Sequence, residues 1–323
     1  MAVATSTVAT SHPRATMAAA TVSAAGQAEL VHVPAPVPQA GEVLIRVEGC
    51  GLCGSSGSLW EGRPWFSYPL RPGAPGHEGW GRVEELGEGV TSPSPGTRVG
   101  FLSQHAFAEL DVARADAVVT LPPELDERPF PGEALGCAMN VFARSRIAAG
   151  DTVAVVGAGF VGLLLVRLAT LVGAHVTALS RRGFALELAE RLGAVHTNGL
   201  DEAGDDERFD CVIEAAGVQE TLDVAARLTR ERGLLVIAGY HQDGPRTIDM
   251  QLWNWRGLDV VNAHERDPAA YVAGMRQAAD AVARGLLEPD LLYTHRFPLA
   301  ELDLAFEAAR ERPDGFLKAL VLV

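Results

Sequence analysis

The chain reads as an α/β protein in two units, a β-rich part and a doubly wound, mostly parallel sheet. Three observations carry that reading. Up to about residue 125 short strand-like segments are cut apart by Gly and Pro. From Asp151 onward apolar strands alternate with apolar helices, the order that builds a parallel sheet covered on both faces. A glycine-spaced turn, Gly157-Ala158-Gly159-Phe160-Val161-Gly162, sits between the first of those strands and its helix. At 323 residues the chain also exceeds one ordinary core, so two units are expected on size alone.

Taken in order, "GEVLIRVEGCG" is strand-like, and "GWGRVEELGEGV" alternates as a half-buried strand does. Pro-rich turns fill the stretch between them. "DTVAVVGAGFVGLLLVRLATLVGAHVTALS" gives strand, glycine turn, apolar helix and second strand. "FDCVIEAAG" and "GLLVIAGY" are further buried strands, and the final "LYTHRFPLAELDLAFEAARERPDGFLKALVLV" places a helix before a last strand. No internal repeat or long low-complexity linker interrupts the pattern.

Composition excludes several functions. A net charge of −14 opposes a nucleic-acid surface, which needs clustered Lys and Arg. The longest apolar run, Leu163 to Val172, is broken by Arg167 and is far too short to span a bilayer. Four cysteines are too few and too spread for a disulfide framework, and without a secretory signal a cytoplasmic location is expected. One lysine, Lys318, among 27 basic residues leaves almost no candidate for Schiff-base chemistry. Residues 1–16, "MAVATSTVATSHPRAT", lack acids and read as a disordered leader, or as sequence ahead of a start at Met17.

The glycine turn matches G-x-G-x-x-G in the context that gives the motif meaning, after a strand and opening a helix. Gly157 permits the tight turn, Gly159 lets backbone approach a pyrophosphate, and Gly162 lets helix and strand pack closely. The phosphates then meet the unpaired N–H groups at the helix start, beside Phe160 and Val161. About 20 residues on, an NAD site offers Asp or Glu to the ribose hydroxyls. Here Ser180, Arg181 and Arg182 stand there, with no carboxylate until Glu187. Hydroxyl and guanidinium groups suit a 2′-phosphate, so NADP(H) is favoured over NAD(H).

Cys50 and Cys53 share C-x-x-C spacing, yet the sequence supplies no second pair for a zinc knuckle. Cys53 is followed by His77 and Glu78 in a Gly- and Pro-flanked turn, and Glu133 and Cys137 precede the nucleotide unit. Thiolate, imidazole and carboxylate can thus converge on a Lewis-acidic ion with one open position. Cys50 is read as a small core residue.

With these segments in hand, the chain resembles the zinc-type medium-chain dehydrogenases and reductases, the family of alcohol, sorbitol and threonine dehydrogenases. The resemblance runs from about Met17 to Val323 and rests on "GCGLCGSS", "GHEGWGRV", "GEALGCAMNVF", "VAVVGAGFVGLLLVRLA", "FDCVIEAAG" and "THRFPL…AFE". It implies a GroES-like catalytic domain over 17–140 and 288–323, with a Rossmann domain over 141–287. It implies that Cys53 and His77 are catalytic-zinc ligands. The third ligand is Cys137, as in alcohol dehydrogenases, or Glu133, as in sorbitol dehydrogenases, while Glu78 lies beside the metal. Ser55 matches the hydroxyl that passes the substrate proton outward. The resemblance also implies a homodimer or homotetramer.

Two positions depart from the family. Ser56 stands where an Asp usually orients the ligand His, and such a loss commonly weakens metal binding or activity 10–100-fold. Ser58 stands where a His often continues the proton relay. The four-cysteine loop that holds a structural zinc in many relatives has no counterpart, so one catalytic zinc and no structural zinc is expected. The implied activity is hydride transfer between NADP(H) and a small alcohol or carbonyl, with a polyol, cyclitol or sugar-like substrate preferred. Trp65, Phe66, Tyr68, His241 and Gln242 are pocket candidates, whereas His264 is expected to be a hydrogen-bonded core residue. The competing readings are a zinc-free NADPH-dependent enoyl or quinone reductase and a non-catalytic NADPH-binding protein.

Overall fold

Residues 16–204 and 208–323 are described in a computed structural model of the chain. The leader expected over 1–16 lies outside these residues, apart from Thr16, which opens the first strand. A hairpin of β1 (Thr16–Ala24) and β2 (Gln27–Pro34) comes first. β3 (Glu42–Gly51), α1 (Gly54–Trp60), β4 (Glu78–Leu86), β5 (Arg98–Phe101), β6 (Leu110–Arg114) and β7 (Val118–Thr120) follow. α2 (Gly132–Ser145) then leads into β8 (Thr152–Val156), α3 (Phe160–Leu171), β9 (His175–Leu179), α4 (Gly183–Arg191) and β10 (His196–Asn198). Next come β11 (Phe209–Glu214), α5 (Gln219–Leu228), β12 (Thr229–Ile237), α6 (Met250–Arg256), β13 (Asp259–Asn262) and α7 (Pro268–Ala283). β14 (Tyr293–Pro298), α8 (Leu302–Glu311) and β15 (Lys318–Leu322) close the chain.

Two large sheets result. The six-stranded sheet runs β10-β9-β8-β11-β12-β13 with every pair parallel. Its order reverses between β8 and β11, which is where doubly wound sheets open a crevice for ligands. α3 explains its own position: Leu163, Leu164, Leu165 and Val166 are all buried, so the helix is apolar around its whole girth and lies between sheet and α2.

The second sheet has seven strands in the order β14-β15-β3-β4-β5-β7, with β6 paired to β3. Here the last strand returns to the first part of the chain. β15 pairs antiparallel with β3 at Leu320–Gly51, Val321–Cys50 and Leu322–Gly49, so Lys318 arrives beside the segment that follows β3. Cys50 is fully buried with Val47, Leu52 and Val321, a small core residue as expected.

α1 has only 7 residues, too few to hold as a helix alone. Its neighbours fix it. Trp60 is buried and stacks on Phe306 of α8 at 5.6 Å and 9°. The Trp60 Nε1–H also donates to Asp303 Oδ1 at 2.9 Å. Holding α1 matters because Cys53 is the residue that precedes its first turn. Among the described residues no helix is long and apolar enough to cross a membrane.

Candidate active site

Cys53 leaves β3 in extended conformation as the N-cap of α1, while His77 and Glu78 lie at the start of β4, the neighbouring strand. Donor atoms of Cys53, His77 and Glu78 all lie within 4.8 Å of one another. The register makes room for this. Gly51 pairs directly with Glu78, and a Cβ at Gly51 would meet Glu78 Oε2 at 1.9 Å. Any larger residue there would displace the carboxylate.

The His77 ring is oriented by backbone. Its Nδ1 lies 2.9 Å from the Pro75 carbonyl, which can only accept, so Nδ1 carries a proton and Nε2 is the ring nitrogen left for a metal. The Pro75 carbonyl thus supplies the ring's anchor that Ser56 does not. Ser56 Oγ is buried with no hydrogen-bond partner.

The charge balance around His77 is lopsided. Burial works to lower its pKa, but the Cys53 thiolate and then Glu133 and Glu78 raise it to about 10. The Cys137 thiol, one helical turn after Glu133 on α2, donates to Glu133 Oε1 at 3.2 Å. Burial, first, raises the pKa of both and so favours their neutral forms, and the neighbouring acidic groups push the same way. Glu133 and Cys137 therefore border the trio as a hydrogen-bonded pair.

One cation does reach the cluster. Lys318, 240 residues away from Glu78 in sequence, places Nζ 2.7 Å from Glu78 Oε1 and 2.5 Å from Oε2. The Oε1 contact has hydrogen-bond geometry, and Oε2 is held by the charge of the same ammonium. The ammonium is itself buried and lies 5.0 Å over the Phe160 ring, at the head of the glycine turn. Sequence reading passed over Lys318. Its signal was available as the lone lysine, set among apolar residues in "FLKALVLV".

A carboxylate oxygen, a cysteine sulfur and an imidazole nitrogen within 4.8 Å of one another form a donor set of the type and spacing zinc takes. The residues present fit a divalent metal. Ser55 adds a hydroxyl at the same place, its Oγ–H donating to Cys53 Sγ at 3.1 Å.

The glycine turn has the shape expected of a phosphate cradle. Gly157 is left-handed at φ +112°, and a Cβ at Gly162 would meet the Gly157 carbonyl at 2.0 Å. Gly159 differs: a Cβ there would touch nothing within 4 Å, so its backbone faces open space at the start of α3. That bare helix start fits a dinucleotide pyrophosphate. Phe160 is buried and stacks on Tyr293 at 5.9 Å, and Val161 is half-buried beside it.

The two arginines after β9 part company. Arg181 is exposed and pairs with Glu220 on α5. Arg182 turns the other way, donating to the Phe316 carbonyl at 2.6 Å and the Ala158 carbonyl at 3.4 Å. Ser180 is buried at the strand end, where its Oγ accepts the Arg182 N–H at 3.2 Å. Ser180 and Arg182 thus border the glycine turn, and Arg181 does not.

The pocket candidates also separate. Trp65 is exposed and Phe66 is half-buried beside it, with ring centroids 5.9 Å apart, while the Tyr68 hydroxyl donates to the Leu59 carbonyl. His241 is clamped between Glu214 Oε2 at 3.1 Å and Arg246, whose Nε–H donates to its Nδ1 at 2.8 Å. Gln242 reaches across to α1, its Oε1 accepting from Ser58 Oγ at 3.1 Å. Ser58 thus ties the two sheets' loops together. His264, expected in the core, is exposed instead and stacks on the exposed Tyr240 at 5.4 Å. β13 is the sheet's edge strand and is largely exposed, and the segment after it faces outward at His264.

Comparison with known proteins now bears on this geometry. The alcohol dehydrogenase GroES-like domain matches residues 39–123, and the zinc-binding dehydrogenase domain matches residues 161–280. The chain belongs to the zinc-type medium-chain dehydrogenase/reductase family. It is 27% identical over 319 residues to a sorbitol dehydrogenase of Halalkalibacterium halodurans, covering 86% of this chain and 91% of that one. A D-arabitol-phosphate dehydrogenase of Enterococcus avium is 25% identical over 340 residues, covering 92% and 95%. Among solved structures, a zinc-binding dehydrogenase from Sinorhizobium meliloti bound to NADP superposes with TM-score 0.82 at 29% identity, covering 96% of this chain and 100% of that one. A cobalt- and zinc-bound alcohol dehydrogenase from Pyrobaculum aerophilum superposes with TM-score 0.82 at 26% identity, covering 95% and 99%. This dehydrogenase is therefore an oxidoreductase of the alcohol and polyol dehydrogenase kind, with a GroES-like and a Rossmann-type domain.

Proposed function

We propose that this dehydrogenase transfers hydride between NADP(H) and a secondary alcohol or its ketone on a polyol-like substrate, using one zinc ion held by Cys53, His77 and Glu78. The convergence of those three donors carries the reading, together with Lys318, which spans from Glu78 to the ring that heads the glycine turn. Zinc, when bound, lowers the pKa of an alcohol and stabilises negative charge on its oxygen, while NADP⁺ accepts the hydride.

The chain's own residues supply the rest. Cys53 and His77 offer a thiolate and an Nε2 lone pair, and the Pro75 carbonyl keeps the imidazole in the required tautomer. Glu78 offers a carboxylate whose Oε1 accepts from Lys318 and whose Oε2 lies 2.5 Å from the same ammonium, so the lysine holds the group in place beside Cys53 and His77. Ser55 Oγ stands beside Cys53 and takes the alcohol's proton outward. Gly159 leaves the helix start bare for the pyrophosphate, and Ser180 with Arg182 selects the phosphate of NADP(H). Gln242 bonded to Ser58 joins the nucleotide-side loop to α1, which keeps water from the junction.

The GroES-like domain is taken as 17–140 with 288–323 and the Rossmann domain as 141–287. β13 ends the parallel sheet with exposed Asp259, Val260 and Asn262, the place where a homodimer would pair.

An NADP(H)-coupled screen over polyols, simple alcohols and ketones, run beside the His77→Ala variant, tests the reading. Turnover of a polyol-like alcohol that vanishes in His77→Ala supports it. Full turnover by His77→Ala would point to the zinc-free reductase chemistry instead. A wild-type protein that binds NADPH and turns over nothing would be a binding protein.

A further inference from the structure

The sequence offers His241 as a pocket residue, but the structure engages both of its ring nitrogens. Nε2 lies 3.1 Å from Glu214 Oε2, and the Arg246 Nε–H donates to Nδ1 at 2.8 Å. An arginine can only donate, so Nδ1 presents its lone pair and Nε2 carries the proton, which it gives to Glu214. Glu214 is fully buried at the end of β11. Its Oε1 accepts from the Ala216 N–H at 2.8 Å, the Gly217 N–H at 2.7 Å and the Thr221 hydroxyl at 2.7 Å. The His241 ring is thus neutral and fixed from two sides.

The loop that carries His241 is pinned at its base. A Cβ at Gly239 would meet Gly217 N at 2.2 Å and Glu214 Oε2 at 2.5 Å, so backbone lies on backbone there. Arg246 Nη2 donates to the Gly217 carbonyl at 3.0 Å and also pairs with Asp243. Ala215 and Ala216, just before Gly217, lie against the glycine turn: a Cβ at Gly157 would stand 3.1 Å from each. The loop's tip reaches the other unit. Gln242 Oε1 accepts from Ser58 Oγ at 3.1 Å, and its Nε2 donates to the Gly54 carbonyl at 3.4 Å. Gly54 and Ser58 both belong to α1, where Ser55 donates to Cys53 Sγ at 3.1 Å. The loop therefore runs from beside the glycine turn to the edge of the metal-binding trio, spanning the gap that hydride has to cross.

We propose that residues 239–246 form a strap locking the nucleotide unit to the metal-binding unit, with Gln242 as its clasp and His241 as the residue that positions the clasp. The inference rests on the dinucleotide reading above and gives His241 a role other than lining the pocket. Hydride transfer needs the nicotinamide and the substrate carbon held in contact, with water kept away, and a strap between the two units does both. Glutamine suits the clasp because its amide offers an acceptor and a donor together, here to a hydroxyl and a carbonyl of one short helix. His241, one residue earlier, acts through it: with the ring anchored on Glu214 and Arg246, the Gln242 side chain starts from one fixed backbone direction.

Acrylamide quenching of NADPH fluorescence, measured on the whole protein with NADPH bound, reads how often the strap opens. The bound nicotinamide of the wild type should be quenched far less than free NADPH. Gln242→Ala should raise the quenching constant about fivefold, the change that one lost hydrogen bond makes in an opening equilibrium. Ser58→Ala should match it, and the double variant should be no worse than either, because both changes remove the same bond. His241→Ala should give a similar rise through the loop alone. Binding of 2′,5′-ADP, which lacks the nicotinamide, should be the same in Gln242→Ala as in the wild type, which shows the variant to be folded. If NADPH binds and Gln242→Ala leaves its quenching unchanged, the strap is refuted and the cofactor reading stands. Additive effects of Ser58→Ala and Gln242→Ala would refute it too. Wild-type quenching in His241→Ala would overturn the positioning role of that residue. Should NADH bind in place of NADPH, the preference for the 2′-phosphate falls and the same comparison is read with NADH. A wild type that binds neither dinucleotide would overturn the dinucleotide reading and the strap together.

Discussion

Replacing Lys318 by Met should expose how much the buried ion pair contributes to the fold and to metal binding. Glu78 and Lys318 are 0% and 5% exposed, and the ammonium touches both carboxylate oxygens. Met fills the volume of the lysine stem, so the change removes charge with little cavity. What remains is a buried carboxylate whose two oxygens have both lost the ammonium. Removing one partner of such a pair destabilises by about 3–5 kcal/mol. A divalent ion beside Oε2 would supply the missing positive charge, so the loss should be at most about half as large in zinc-loaded protein. Urea unfolding of wild type and Lys318→Met, each with zinc and with chelator, reads both quantities. Adding Glu78→Gln to Lys318→Met should recover part of the loss, giving a coupling energy of about 2 kcal/mol or more. A loss below about 1 kcal/mol in chelator, or equal losses with and without zinc, would refute the reasoning.

Three further outcomes follow from other parts of the molecule. Burial raises the Asp111 carboxyl from 3.8 to about 6, so its folded-state pKa lies above the unfolded value. The associated penalty is absent below about pH 3.8 and grows as pH rises through about 6. Asp111→Asn should therefore gain about 2–3 kcal/mol over wild type at pH 8 and nothing near pH 4 in urea unfolding, with a pH-independent difference as the contrary result. Gly159→Ala should fold normally, since its Cβ meets no protein atom within 4 Å, yet bind NADPH about tenfold more weakly because the proposed pyrophosphate would share that space. Gly162→Ala should instead lose thermal stability, its Cβ falling 2.0 Å from the Gly157 carbonyl; equal melting of the two variants would contradict both readings. Trp60→Ala should cost about 3–5 kcal/mol and raise the rate of zinc loss to chelator, because the Phe306 stack anchors the helix that Cys53 caps.

Local constraints were the readable part of the sequence. The glycine turn announced itself because Gly157 and Gly162 are each required by backbone contacts within the turn and its neighbours. The alternation from Asp151 onward likewise predicted a parallel sheet, whose strand reversal beside the turn then appeared. Cys53, His77 and Glu78 were picked out as metal-type donors around a Gly- and Pro-flanked turn, and the family resemblance then gave Cys53 and His77 as ligands; the pairing of β3 with β4 is what brings them together. Lys318 stood out as the lone lysine, but its place was not legible: only the pairing of β15 with β3 carries it across 240 residues to Glu78. Adjacent residues can also diverge. Arg181 and Arg182 looked equivalent after β9, but one faces Glu220 on α5 and the other the glycine turn. The absent Asp at Ser56 suggested a weakened site, and a backbone carbonyl that no side-chain motif encodes holds the His77 ring instead.

X-ray absorption at the zinc edge on purified, active protein tests the central claim most directly. The proposed donor set requires about one zinc per chain with a single sulfur near 2.3 Å and the remaining ligands nitrogen or oxygen near 2.0–2.1 Å. Two sulfurs would place Cys137 in the coordination sphere instead of a carboxylate. A sulfur-free shell, or full activity without the metal, would contradict the account altogether.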